Sequence, residues 1–259
     1  MPYLDTGRIS LFFEDAGRGG IPVLLLHEPG GSSESWREVT PLLATDRRVV
    51  APDLRCAGRS EKPPGAFALA DTADDLDRLL AMLSPDAALD VIGAALGSLV
   101  GALLAVRHPG RVRRLMMCAV APDMAGATRA YVAERADKVR VVGMRGVAEA
   151  SLANSFPATH PAERAAYRAI YLGNDPAAYA ELSLALARLE MTPADWAAIR
   201  APVLVASGAH DFLWPPEIGR QVAALVPGAR FEIMTDASHF PHLQAPETLV
   251  RLARGFLAG

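Results

Sequence analysis

The residues best able to do chemistry stand at four places in the chain. LVASGAHDFLWPP puts Asp211 just past an apolar run, and MTDASHFPHLQAPE puts His239 ahead of the last amphipathic segment. A carboxylate and an imidazole that meet in space make a general base: the carboxylate fixes the tautomer and the free ring nitrogen takes a proton. Upstream, DVIGAALGSLVGALLAVRHPG reads as a buried strand, a tight glycine turn and a long apolar helix. Such a turn, G-x-S-x-G in its usual form, exposes its middle residue as a nucleophile. Here the five residues are Gly93-Ala94-Ala95-Leu96-Gly97, and the middle one is a methyl group. The fourth place is VLLLHEPGGSSESW, where a strand runs into His27-Glu28-Pro29-Gly30-Gly31.

Each of these sites needs an element to hold it. RISLFFED alternates like a half-buried strand. PVLLLH, RRVVAPD, LDVIG, RRLMMCAV and APVLVASG read as buried strands of a mostly parallel sheet, with FEIMTD a weaker one. Between them lie helical stretches: SESWREVTPLLAT, LADTADDLDRLLAML, ALGSLVGALLAVRHP, PPEIGRQVAALVP and PETLVRLARGFLA. Alternation on this scale predicts an α/β fold, a twisted parallel sheet flanked by helices. The pattern breaks after about Asp123, where helical signals follow one another with turn residues such as Pro157, Pro161, Gly173 and Pro176 between them. We therefore expect core at 1–122, a helical cap at 123–198 and core again at 199–259. A cap at that point lies over the carboxyl ends of the strands, where ligands bind in such sheets.

Composition narrows the partners. A chain of 259 residues with 51% hydrophobic side chains and net charge −3 can bury a large core and carries no basic excess for nucleic acid. No apolar run is long enough to span a membrane, and MPYLDTGRIS lacks the pattern of a signal peptide, so a cytoplasmic protein is expected. The two cysteines, Cys56 and Cys118, are not expected to pair. No metal-ligand spacing or cofactor motif stands out; the expected partner is a small-molecule substrate, with a homodimer left open.

Taken together, elbow, acid and histidine stand in the chain order of α/β-hydrolases, and the sequence resembles that family across nearly its whole length. Within it the resemblance is to the branch of 3-oxoadipate enol-lactonase and aminoacrylate hydrolase. PDLRCAGRSEKP resembles that branch's D-x-R-G-x-G-x-S loop, with Cys56 at a glycine position and Ala57 after it. The resemblance implies cofactor-free hydrolysis of a small ester, lactone or related carbonyl compound. It assigns His239 and Asp211 as base and orienting acid, and Ala95 to the nucleophile position. The Leu96 N–H becomes a donor to a developing oxyanion.

Three departures bear on that centre. Ala95 cannot attack, and loss of a nucleophilic serine costs on the order of 10⁶ in turnover. Pro29 falls where the family supplies an oxyanion N–H, and proline has none; the Gly30 or Gly31 N–H is the expected substitute beside His27. Glu28, if it faces the crevice, is expected to have a raised pKa suited to proton transfer, the plain alternative being a pair with Arg55. Three readings of Ala95 follow. It is native, and His239–Asp211 acts on water or on a substrate proton, with Glu28 assisting. It replaces a serine in an ordinary esterase or lactonase whose nucleophile was exchanged. Or the protein binds a small molecule without consuming it. The cap offers Met124, Tyr131, Met144, Phe156, Tyr171 and Leu186, most of them expected as cap core at helical spacing; Trp214 and Phe240 are expected at the pocket, and Arg129, Arg135 or Arg140 could hold a carboxylate, the plain alternative being solvated helix arginines.

Overall fold

The computed structural model describes residues 3–85, 87–124, 126–156 and 160–259; Pro157, expected at a turn between cap helices, lies outside them. The strands are β1 (Tyr3–Asp5), β2 (Ser10–Ala16), β3 (Val23–Leu26), β4 (Val49–Pro52), β5 (Leu89–Ala94), β6 (Val112–Cys118), β7 (Val203–Gly208) and β8 (Arg230–Met234). They form one sheet in the order β1-β2-β4-β3-β5-β6-β7-β8. The first two pairings, β1 with β2 and β2 with β4, are antiparallel, and every later one is parallel.

Successive strand side chains go to opposite faces, and this divides the core in two. Leu24, Leu26, Val91, Leu115 and Val205 pack on one face with α2 (Leu69–Leu83) and α3 (Leu96–Arg107), whose Leu76, Leu80, Leu99 and Leu103 meet them. Val23, Leu25, Ile92, Met116 and Leu204 pack on the other with Val39 and Leu43 of α1 (Val39–Leu43), and with Leu249 and Phe256 of the C-terminal helix (Pro246–Leu257). The buried strands are apolar on both faces because both faces are covered.

Between β6 and β7 the chain runs through α4 (Gly126–Ser155), α5 (Pro161–Leu172), α6 (Pro176–Ala187) and α7 (Pro193–Ala197). Gly143 breaks α4 with φ 68° and ψ 177°, so the long helix is two helices joined at a kink. A third apolar cluster, with Ala136, Leu152, Tyr167, Tyr171 and Tyr179 from the cap, reaches down to Ala95 and Phe240 of the core. The chain closes with α8 (Pro216–Leu225), α9 (Pro241–Gln244) and α10 (Pro246–Leu257), and proline opens each of the three, where a missing N–H costs nothing.

Candidate active site

The turn after β5 is built by glycines that nothing larger could replace. A Cβ on Gly97 would strike the carbonyl of Leu26, and one on Gly93 would meet Gly97. Ala95 between them has φ 49° and ψ −112°, and its N–H bonds Cys118 O at 2.9 Å. A non-glycine residue held there costs about 1–3 kcal/mol, strain that active-site turns commonly carry. The turn thrusts the Ala95 methyl into a cavity of about 100 Å³ under the cap. Leu96, also in the cavity wall, opens α3, and the first N–H groups of a helix have no carbonyl one turn back to bond. Ser98 cannot stand in as nucleophile: its hydroxyl lies 2.8 Å from the carbonyls of both Gly93 and Cys118, and it accepts the Cys118 N–H at 3.0 Å.

Asp211 and His239 are carried past the ends of β7 and β8, where His239 lines the same cavity and Asp211 pairs with it from behind. The imidazole Nδ1 lies 2.9 Å from Asp211 Oδ2. Asp211 Oδ1 accepts the N–H groups of Leu213 at 3.0 Å and Trp214 at 2.9 Å, so the carboxylate is held from both sides. With Nδ1–H donated to a carboxylate, the other ring nitrogen presents its lone pair. Trp214 packs edge-on against the imidazole with ring centroids 5.3 Å apart, and Phe240 lies against it at 4.8 Å. Both aromatic rings line the cavity with His239.

The turn after β3 corrects three expectations. Pro29 does line the cavity, without an N–H to offer. Gly31 cannot replace it, since its N–H is spent on Glu28 O at 3.1 Å, and Gly30 stands outside the cavity wall. His27 is not a substrate contact. It is fully buried, its Nε2 accepts the Leu54 N–H at 3.0 Å, and its Nδ1 therefore donates to Glu28 O at 2.8 Å. Glu28 does not face the crevice. It is fully buried, with Oε1 accepting from Ser35 Oγ at 2.7 Å and Oε2 2.8 Å from His242 Nε2. Burial alone raises the pKa of such a carboxyl; the adjacent His242 imidazole, His27 and the Ser35 hydroxyl outweigh burial and hold it below the ordinary value. Arg55 is not its partner, for that guanidinium makes a two-point bridge to Asp75 at 2.7 and 2.9 Å.

The cap supplies most of the remaining wall. Met124, Tyr131, Tyr171 and Leu186 line the cavity, together with Val132, Arg135, Tyr167 and Tyr179. Met144 and Phe156 belong instead to the cap's apolar cluster. Among the described residues no three His, Cys, Asp or Glu side chains are grouped to hold a metal ion, and no helix is long and apolar enough to cross a membrane.

Four residues that position the site escaped the sequence. Gln244 Oε1 accepts the N–H of Ser238 at 2.9 Å and of Phe240 at 3.2 Å, one on each side of His239. His242 pairs with Glu28, and so ties the histidine loop to the turn after β3. From α5, the Tyr167 hydroxyl donates to Pro29 O at 2.9 Å, and just past its end Asn174 donates to Gly30 O at 2.8 Å. Burial pushes the Tyr167 phenol far up, so it stays a donor. Only His242 and Gln244 had a local signal, their place directly after His239.

With this geometry established, comparison with known proteins is specific. Residues 21–246 match the family described as alpha/beta hydrolase fold. A putative carbamate hydrolase RutD of Serratia proteamaculans is 27% identical over 256 residues, covering 95% of this chain and 96% of its own. Among solved structures, the enol-lactonase of Burkholderia xenovorans superposes with a TM-score of 0.93 at 27% identity over 100% of both chains. A thermophilic esterase of Thermogutta terrifontis does so with a TM-score of 0.91 at 28% identity, over 96% of this chain and 93% of the other. Sheet order, turn geometry and the matched span agree, and the chain is a member of the alpha/beta hydrolase fold family.

Proposed function

We propose that the protein is a cofactor-independent hydrolase of a small ester, lactone or carbamate, in which His239, steered by Asp211, is the general base for an attacking water. The observation that carries the reading is that His239, paired from behind with Asp211, stands on the wall that also holds Ala95 and Leu96. The names of the relatives, carbamate hydrolase, enol-lactonase and esterase, give the substrate classes. In this scheme water gives one proton to His239 Nε2 as its oxygen bonds to the substrate carbonyl carbon. The Leu96 N–H receives the developing oxyanion. Collapse breaks the bond to the alcohol or amine, which leaves with the proton from His239. No acyl-enzyme forms, because Ala95 offers no oxygen. Glu28 is assigned a supporting part, as the anchor of the histidine loop through His242.

Pro29 favours a second reading of the same dyad. Losing one oxyanion donor costs about 2.7–4 kcal/mol in acyl transfer, a penalty that abstraction of a substrate proton escapes when little charge collects on the carbonyl oxygen. The discriminating experiment uses p-nitrophenyl acetate in ¹⁸O-labelled water. The hydrolase reading predicts slow, burst-free turnover with label in the acetate, and His239→Ala lowers it by about 10²–10⁴. Ala95→Ser is expected to add a burst and an acyl-protein adduct by mass spectrometry. Turnover that is the same with and without His239 overturns the reading. Label-free products from a carbon acid, with no ester turnover, favour proton abstraction.

A further inference from the structure

Among the described residues, Arg135 is the one permanent charge in the cavity wall, and no carboxylate pairs with it. Arg135, from α4, lines the cavity between Tyr131 and Tyr179, with its guanidinium 5.4 Å and 5.7 Å from their ring centroids. Arg135 is half-buried, its Nε is buried without a hydrogen-bond partner, and among the described residues no carboxylate pairs with it. The two other arginines expected as carboxylate ligands are paired. Arg129 meets Glu190 at 3.3 Å, and Arg140 meets Glu181 at 2.6 Å and Asp137 at 3.3 Å. Among the described residues no Asp or Glu belongs to the cavity wall, where Ser151, Asn154 and Ser155 come from the same helix beyond the Gly143 kink.

A half-buried cation with an unpaired nitrogen in a cavity wall is left short of partners, and a guanidinium fork matches a carboxylate by two parallel hydrogen bonds. We propose that Arg135 is the binding site for a carboxylate on the substrate, set in the cap wall while the reacting carbonyl lies against His239 and Ala95. The proposal rests on the cavity being the reaction site, and it narrows the substrate from any small acyl compound to one bearing an acid group. A single fixed cation and a cavity of about 100 Å³ suit a short monoanion rather than a phosphate ester or a long acyl chain. The flanking aromatic rings add cation–π contact that keeps the guanidinium in place when the site is empty.

The test uses two probes of nearly equal size, monomethyl succinate and dimethyl succinate, titrated calorimetrically into the full chain. The half-ester is expected to bind more tightly than the diester. Arg135→Gln is expected to weaken half-ester binding by about 10- to 100-fold, the range of a charged hydrogen bond, and to leave the diester unchanged. Arg135→Lys should recover part of the preference. Equal affinity for the two probes overturns the proposal, as does an equal loss of both in Arg135→Gln and Arg135→Lys with circular dichroism unaltered. Binding is read without turnover, so the same titration on His239→Ala separates the two readings. Discrimination that persists in His239→Ala supports the acid site, and counts against the hydrolase only where the wild-type chain also consumes no ester.

Discussion

At the scale of single residues, Glu28 divides its two oxygens between Ser35 and His242 in a site without solvent. Removing one member of such a pair leaves the other uncompensated, so Glu28→Gln is expected to lose about 3 kcal/mol at neutral pH. The pH dependence has a definite sign. The folded protein holds this carboxyl below its ordinary value of 4.5, so the contribution is complete above that pH and fades as pH falls below it. Urea unfolding at pH 7 and at pH 4 and below should show the gap between wild type and Glu28→Gln narrowing in acid. A gap that widens in acid contradicts the pairing. The same residue shows where sequence reasoning stopped. That Glu28 ends a central strand was legible; its direction was not, because its partner His242 is 214 positions away.

At the scale of elements, the order of strands and helices was readable because buried strands and amphipathic helices differ in period, and because proline and glycine mark their ends. RISLFFED, LDVIG and APVLVASG fall on β2, β5 and β7, and the weak FEIMTD on β8. Short pieces fared worse. β1 gave no signal in three residues, and SESWREVTPLLAT is a single-turn 3₁₀ segment at Ser33–Trp36 followed by the five-residue α1. The Ala95 turn was legible because glycine is demanded on both sides by backbone contact. That demand is testable. Gly97→Ala drives a methyl into the Leu26 carbonyl and is expected to cost about 3 kcal/mol or more in thermal unfolding. Gly255→Ala, in α10 with nothing near its added methyl, should instead stabilise by about 0.5–1 kcal/mol. Gln244→Ala is expected to leave the fold intact and to lower turnover through His239, since both N–H groups flanking that residue lose their acceptor.

At the scale of the whole molecule, the two thiols report on cooperativity. Cys118 is fully buried and burial pushes its pKa up to about 12; the same cause puts Cys56 at about 11. Neither thiolate forms at pH 8 in the folded state, so a chromogenic disulfide reagent is expected to label both only in denaturant. Rapid labelling of Cys56 alone would reveal local opening of the loop after β4, where that residue holds φ 65°. The cap and the sheet are likewise joined at a few identifiable points. Tyr167 and Asn174 both bond the short turn that carries Pro29 and Gly30. Any movement that lifts α5 away from the sheet must break those two bonds together. Were a guest to enter by that movement, the wall carrying Pro29 would be slack at the moment of admission and firm again only afterwards. The expected outcome of that route is turnover limited by reclosure and slowed as glycerol raises solvent viscosity, and turnover indifferent to viscosity counts against it.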